Sequence, residues 1–265
     1  MQEQDLERGI AARLNSGKRI IRQAGEKAKE YFENYETLEV EVKTSRQDLV
    51  SEADREVERL IRAEIANAFP LDGLVGEEHG QSEAESDYTW VIDPIDGTSS
   101  FLHGLRSWCV VIAVLKEGRP VIGIIYDPMT GQLYHAAEGA GAFRDDRPIS
   151  VDFETPLSGG FFVVGASRPE QSRHVGQVIE GLLSAGGIHM RNGSAALSLA
   201  HVAAGHYLGF YEPQLSSWDC LAGLLMVTEA GGVADDFLVA NGLSSRGPAF
   251  ACAPQAAAQF RALTV

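Results

Sequence analysis

From Leu6 to Phe32 the apolar and small residues Leu6, Ile10, Leu14, Gly17, Ile21, Ala24, Ala28 and Tyr31 recur at spacings of three and four. That period predicts a long amphipathic helix. Leu38 to Val42 alternates apolar and acidic side chains and predicts a strand. Val57, Leu60, Ile61, Ile65 and Ala68 mark a second helix, with capping-box spacing at Ser51–Asp54 before it and Pro70 behind it. Short strands are predicted at Leu74–Gly76 and Thr89–Asp93. A β-rich stretch follows, with strand signals at Trp108–Leu115, Val121–Tyr126 and Gln132–Ala136. Turn residues at Glu117–Pro120 and Asp127–Gly131 separate them.

Past Pro148 the pattern changes. Strand-like Phe161–Gly165 leads to a helical segment at Glu170–Leu183, a helical Ser194–Ala204, a strand-like His206–Tyr211 and a helical Trp218–Ala230. Phe250–Ala253 then reads as a strand and Pro254–Leu263 as a helix. Alternation of strands and helices is the signature of α/β layering. With no internal repeat and no low-complexity linker, the expectation is two closely packed halves: an α+β half over residues 1–150 and an α/β half over residues 151–265.

Composition narrows the function classes. The 265 residues are 45% apolar and 22% charged, enough chain for a sizeable core. With 37 acidic against 22 basic side chains the net charge is −15. A nucleic-acid partner is not expected, because phosphate-backbone affinity needs a basic face. The longest apolar run, Trp108–Leu115, is far short of the roughly 20 residues of a membrane span. The opening Met-Gln-Glu-Gln-Asp-Leu-Glu-Arg is no secretory signal. Cys109, Cys220 and Cys252 are widely spaced among apolar or small neighbours, as reduced core thiols of a cytoplasmic protein are. The histidines show no ligand spacing and read as surface or core residues.

The charge is unevenly placed. Residues 71–100 hold eight acids and no Lys or Arg, so this stretch supplies −8 of the −15. Glu83, Glu85 and Asp87 read as a solvated loop, whereas Glu77, Asp93 and Asp96 are embedded among apolar residues. Burying carboxylates without a partner costs several kcal/mol each, by rough estimate. With no basic residue nearby in the chain, a bound cation is the natural partner. The most specific motif is Asp93-Pro-Ile-Asp-Gly-Thr98. Two carboxylates three residues apart at a strand-to-turn junction can converge on a metal. Pro94 stiffens the segment, and Gly97 permits a tight turn and close approach to a ligand. Taken alone, D-x-x-D is more often an Asp-rich turn with its own side-chain-to-backbone hydrogen bond. The full string after Trp-Val-Ile favours the site.

With its spaced motifs, the chain resembles the inositol monophosphatase superfamily of metal-dependent, lithium-sensitive phosphatases. The motifs occur in order: Lys43 and Asp48–Asp54, Val75–Glu78, Trp90–Phe101, Gly193–Leu197, Glu212, Trp218-Asp219 and Thr228–Gly232. The resemblance implies a layered α-β-α-β-α sandwich of the inositol monophosphatase/fructose-1,6-bisphosphatase type, usually dimeric. Residues 1–150 would then be the metal-binding half, and residues 151–265 would complete the metal and substrate site. It implies Glu77 as ligand of the catalytic metal, Asp93 as a bridge between two metals, and the Ile95 carbonyl on the first. Asp96 and Asp219 match the ligands of the second. Asp54 and Thr98 match a pair that orients and deprotonates the attacking water. Gly97 and Thr98, the Gly193-Ser194-Ala195 segment, Glu212 and Asp219 match substrate contacts, and Lys43 matches a lysine near the active-site loop.

Plainer readings accompany several of these residues. Asp54 is also a helix-start carboxylate, and one role does not exclude the other. Asp219 at the start of an apolar helix is ordinarily an N-cap, and Gly193 is a common helix-start residue. Glu78 reads as structural.

The expected ion is Mg²⁺, which takes hard oxygen ligands. The charge of −4 on Glu77, Asp93, Asp96 and Asp219 matches two such ions, and a third would offset the substrate dianion. Two metals roughly 3.5–4 Å apart suit an in-line displacement with water as the nucleophile. The expected substrate is a small phosphorylated polyol or sugar, myo-inositol monophosphate first. Fructose 1,6-bisphosphate, histidinol phosphate and 3′-phosphoadenosine 5′-phosphate are the alternatives within the same chemistry, and a regulatory protein-binding role is the alternative outside it. An extended basic pocket would favour a bisphosphate, but the second half holds only a few arginines. Two departures stand out: Ser100 where Asn is common, and an apparent one-residue shortening at Arg191-Asn-Gly193.

Overall fold

The structure, a computed structural model, describes residues 2–38, 40–42, 49–166 and 168–265. Lys43 and Asp48 lie outside the described residues. The predicted long helix is α1 (Gln2–Phe32), and the second is α2 (Glu52–Ala68). Strands β1 (Val40–Val42) and β2 (Leu49–Ser51) form a two-stranded ribbon between them.

An eight-stranded sheet follows. It uses β3 (Gly73–Gly76), β4 (Gly80–Ser82), β5 (Tyr88–Asp96), β6 (Cys109–Lys116), β7 (Arg119–Asp127), β8 (Gln132–Ala137), β9 (Gly141–Arg144) and β10 (Arg147–Ile149), in the order β10-β9-β8-β7-β6-β5-β3-β4. A short helix α3 (Thr98–Leu102) leaves the end of β5. The apolar run predicted as a buried strand is β6, which is buried on both faces. Its alternate residues Val110, Ile112 and Val114 enter one core with α1 and α2, while Cys109, Val111, Ala113 and Leu115 enter the other. Period-two geometry sends neighbours to opposite faces, so a continuous apolar strand is what two cores require.

The remainder builds β11 (Phe161–Val164), α4 (Ser172–Ser184), β12 (Ile188–Met190), α5 (Ala195–Ala203), β13 (Gly209–Leu215), α6 (Ser217–Glu229), β14 (Val233–Ala234), α7 (Phe237–Asn241), β15 (Gly247–Cys252) and α8 (Pro254–Leu263). Their five-stranded sheet has the order β12-β11-β13-β15-β14, with β12, β11 and β13 parallel. Helices α5 and α6 lie between the two sheets, and α4 and α8 cover the far face of the second. The layers are therefore α-β-α-β-α.

One row of residues explains where α6 sits. Val91, Ala113, Gly123, Ala136 and Ala142 are register partners across β5, β6, β7, β8 and β9. All are small, Gly or Ala apart from Val91, and all lie on the α6 side of the sheet. They form a shallow trough in which α6 crosses these strands. At Gly123 the fit is backbone to backbone: an added Cβ would stand 2.4 Å from the Ala222 carbonyl oxygen.

Two expectations are corrected. The strand expected at His206–Tyr211 is β13, which starts at Gly209 and runs on through Pro213 to Leu215. The strand expected to stop at Asp93 continues to Asp96. In both cases the strand runs on through a proline. In both, the ladder slips by one residue at the proline: Asp93 and Asp96 face Val111 and Cys109, and Glu212 and Leu215 face Ala249 and Gly247. These are β-bulges, where a residue without an N–H is tolerated.

Candidate functional site

The bulge in β5 has a direct chemical effect. Residues three apart on a regular strand point to opposite faces. One extra residue between Asp93 and Asp96 brings them to the same side. Because β3 runs parallel to β5 with Gly76 opposite Ile92, the next residues, Glu77 and Asp93, are neighbours at the same sheet edge. Asp219 arrives in the first turn of α6 from the layer beneath. One oxygen each of Asp93, Asp96 and Asp219 then lies within 4.8 Å of the others, a group that could hold a metal ion. All three line one cleft of 540 Å³, together with Glu77, Thr98 and Glu212.

Asp93 and Asp96 are buried, at 1% and 7% exposure. Asp93 Oδ1 accepts the Ile95 N–H at 3.0 Å, so the side-chain-to-backbone bond of an Asp turn is present beside the cluster and not instead of it. Asp96 Oδ2 accepts the Ala196 N–H at 2.7 Å and the Ser194 hydroxyl, and the Cys109 thiol lies 3.8 Å away. Asp219 Oδ2 accepts the Ser216 N–H at 2.7 Å. Ser216 is therefore the N-cap of α6 and Asp219 its third residue, closing a capping box, so the plainer N-cap reading of Asp219 does not hold.

Burial drives the Asp93 carboxyl well above the usual range, reinforced by the charges of Glu77, Asp96, Asp219 and Asp54. Asp219 is raised by withdrawal from water and by Glu77 and Asp96. Asp96 is pushed up to about 6 by burial, with the Ser194 and α5 backbone donors pulling the other way. Like charges about 4 Å apart repel by about 4 kcal/mol at an effective dielectric of 20. The group therefore holds either protons or a cation, and its donors are all hard oxygens, which suit a hard divalent ion.

Asp54 contacts both the start of α2 and Thr98. It closes a capping box at α2, accepting from the Ser51 N–H at 2.8 Å and the Ser51 hydroxyl at 2.7 Å. Its other oxygen lies 3.3 Å from the Thr98 hydroxyl, which is also 3.0 Å from the Ile95 carbonyl. Gly97 and Gly193 both have φ of +95°, the left-handed region. A Cβ on Gly97 would stand 2.8 Å from the Ser107 carbonyl and 3.2 Å from that of Gly193. Ser100 faces Gly193 from the other side, its hydroxyl 2.3 Å from where a Gly193 Cβ would be. Glu212 is buried against Gly165, whose Cβ would fall 2.1 Å from the carboxylate.

The sequence profile of the inositol monophosphatase family matches residues 13–255. The chain belongs to the inositol monophosphatase family. It is 40% identical over 232 residues to a Mesorhizobium japonicum protein named inositol-1-monophosphatase, covering 85% of this chain and 86% of that one. It is 38% identical over 234 residues to a Xylella fastidiosa protein named Nus factor SuhB, covering 87% and 84%. The crystal structure of extragenic suppressor protein suhB from Bartonella henselae matches at a TM-score of 0.88 and 32% identity, over 94% of this chain and 97% of that one. An IMPase from Thermotoga maritima matches at 0.84 and 30%, over 95% and 96%.

Against the family's sequence motifs, the structure adds residues that they did not disclose. Glu58 on α2 is fully buried and accepts the N–H groups of Glu78 at 2.7 Å and His79 at 3.2 Å, while Arg62 Nε donates to it at 2.6 Å. It grips the turn that carries Glu77. The signal was available, since Glu58 stands four residues after Asp54 on the inward face of the helix. Glu78, read as structural, joins this grip through its backbone. With Glu77 a ligand, as proposed below, replacement of Glu58 by Gln is expected to leave Mg²⁺ affinity lower by about ten-fold or more, as for lost outer-shell partners generally. Calorimetric titration of the variant measures it, and wild-type affinity would show that the turn holds itself. Cys109, read only as a core thiol, also touches the acidic group, and Arg168 and Arg246 line the cleft.

Proposed function

We propose that the protein hydrolyses a small phosphorylated polyol or sugar, with myo-inositol monophosphate as reference substrate, in a reaction that depends on Mg²⁺. The observation that carries this is the convergence of Asp93, Asp96 and Asp219 in a cleft that Thr98 and Glu212 also line, in a chain of this family. Glu77, Asp93, the Ile95 carbonyl, Asp96 and Asp219 are the proposed ligands, for two ions or three. Mg²⁺ bound there would supply positive charge against the phosphate dianion and acidify a water molecule.

The chain's own groups do the rest. The Thr98 hydroxyl, held between Asp54 and Ile95, orients the attacking water, and Asp54 receives its proton. Glu212 accepts from hydroxyls of the leaving polyol. Gly97 and the Gly193–Ala195 segment let the backbone approach the ester closely. Because the Ser194 hydroxyl and the Ala196 N–H already serve Asp96, the donors at the start of α5 act mainly by fixing that ligand. On this reading residues 1–150 form the metal-binding half and residues 151–265 complete the site. A cytoplasmic homodimer that binds neither nucleic acid nor membrane fits the same reading; among the described residues no helix is long and apolar enough to cross a membrane.

The test is phosphate release from myo-inositol 1-phosphate, fructose 1,6-bisphosphate, histidinol phosphate and 3′-phosphoadenosine 5′-phosphate, with Mg²⁺, with chelator, and with lithium. Release that needs Mg²⁺ and is inhibited by lithium is expected. No release from any of the four would end the hydrolase reading. The SuhB relatives favour a second, regulatory role through protein contacts. An Asp96→Asn variant that still complements loss of the gene would support that role over catalysis.

A further inference from the structure

Residues 151–265 contain five arginines and no lysine. Three of the five, Arg168, Arg191 and Arg246, line the same cleft as the carboxylates. Of the other two, Arg261 is engaged elsewhere, donating to Asp235 at 2.8 Å and lying 3.6 Å above the Phe250 ring, and Arg173 is on the exposed side of α4. In a chain of net charge −15 this is a marked concentration of the positive charge of one half.

The fold explains how they meet. Arg168 follows β11 and Arg191 follows β12, two parallel strands, so both loops leave the same end of the five-stranded sheet. Arg246 precedes β15, which runs antiparallel to β13 with Gly247 opposite Leu215, so its loop stands at that end too. Ligands of α/β sheets gather at the carboxyl ends of parallel strands. The loops are tied in place: Arg191 Nη2 donates to the Ala166 carbonyl at 2.8 Å, and the Ser217 hydroxyl donates to the Leu243 carbonyl at 2.8 Å beside the start of α6.

The acidic floor of the cleft accounts for the phosphoryl group, and Glu212 suits a hydroxyl. Neither needs three guanidinium groups. We propose that Arg168, Arg191 and Arg246 form a second anion subsite on the rim, which takes a phosphate group of the substrate other than the one hydrolysed. The planar guanidinium fork matches a phosphate with paired hydrogen bonds, and the subsite draws an anionic ester towards a protein whose net charge repels it. The subsite rests on the hydrolase reading for its role and, within that reading, ranks esters with a second phosphate above the reference substrate myo-inositol monophosphate. The few arginines that argued against a bisphosphate in the sequence are placed where one would need them.

The experiment compares fructose 1,6-bisphosphate with fructose 1-phosphate, which differ only by the second phosphate. Both are titrated calorimetrically with Ca²⁺ in place of Mg²⁺, an ion that takes the same oxygen donors in looser geometry, and hydrolysis is followed separately with Mg²⁺. Wild-type protein is expected to bind the bisphosphate at least ten-fold tighter. The Arg168→Gln/Arg246→Gln double variant should reduce that ratio to within about two-fold, since each charged hydrogen-bond pair is worth about ten-fold. Arg173→Gln, outside the cleft, should keep it. Equal binding of the two esters by wild type, or a ratio that survives the double variant, overturns the subsite, even where both esters are hydrolysed. Loss of heparin retention in the double variant with the ratio intact assigns the arginines to a polymeric anion and likewise overturns it. If the ratio behaves as expected but Mg²⁺ supports no hydrolysis of either ester, the subsite stands and the hydrolase reading fails.

Discussion

Asn in place of Asp93 is expected to remove turnover and tight Mg²⁺ binding together, while making the metal-free protein more stable. The two effects have opposite signs for one reason. Asp93 lies at the centre of the acidic group, and burial with four neighbouring carboxylates raises its pKa. A carboxyl whose folded pKa exceeds its unfolded value contributes stability below the unfolded pKa, and that contribution is lost as pH rises through the folded one. At pH 7.5, with chelator, the wild-type chain therefore carries strain that the neutral amide removes, so D93N should melt higher by several degrees, at about 2–4 °C per kcal/mol for a chain near this size. The difference should shrink towards pH 4.5, where the wild-type group holds its protons. With Mg²⁺ the order reverses. Loss of Asp93, a direct ligand on the proposed reading, should weaken Mg²⁺ by more than the roughly 10–100-fold typical of an outer-shell partner. Since the ion displaces protons from raised carboxyls, including Asp96 at about 6, wild-type affinity should rise with pH between 5 and 7. Calorimetry in two buffers of different ionisation enthalpy measures the released protons. Near-normal turnover and Mg²⁺ affinity in D93N would remove the metal assignment.

Gly123→Ala touches no site residue and should still impair the site. The added methyl group would lie 2.4 Å from the Ala222 carbonyl oxygen, 2.9 Å from its Cα and 3.0 Å from its carbonyl carbon. These are backbone atoms and cannot rotate aside, so α6 must lift or β7 must bend. Overpacking of this kind costs about 1–3 kcal/mol, a fall in Tm of roughly 2–12 °C. Asp219 is three residues before Ala222 on the same helix, so lifting α6 withdraws it from Asp93 and Asp96. A displacement near 1 Å can cost about a hundred-fold in rate, and kcat/KM should fall on that scale with Mg²⁺ affinity. Gly176→Ala is the control: it sits on the exposed face of α4 with nothing within 4 Å of the new methyl, and should be neutral or stabilising. Wild-type melting and turnover in G123A would mean that α6 is not seated on this row.

The long helices, the central strands and the Asp93–Asp96 part of the acidic site were readable because their signals are local, whereas Asp219, far along the chain, joined them only through the family resemblance. Helix α1 has a sustained period, β6 is a continuous apolar run, and the Asp93–Thr98 string is contiguous. The trough beneath α6 was not readable: Val91, Ala113, Gly123, Ala136 and Ala142 become a row only once strand register aligns them. Strands β4, β9, β10, β12 and β14 have two to four residues each, too few for alternation to stand out. Helix α7, Phe237–Asn241, is likewise too short to show a period. Arg168, Arg191 and Arg246 lie in three separate loops, and nothing local announces that those loops share one end of a sheet. Glu58 had a spacing signal, four residues after Asp54, but its residue type argued against burial, since a Glu on a helix is ordinarily exposed.

The prolines at 94 and 213 tell how such a cleft tolerates sequence drift. Each marks the point where its strand falls out of step with the neighbouring one by a single residue, and the side chains beyond it keep their orientation only because of that offset. Substitutions nearby leave the phase intact. Deleting either residue would restore perfect alternation and turn Asp96, or Leu215 with the chain leading to Asp219, towards the wrong face, so at these two positions the length of the chain is more tightly constrained than its chemistry.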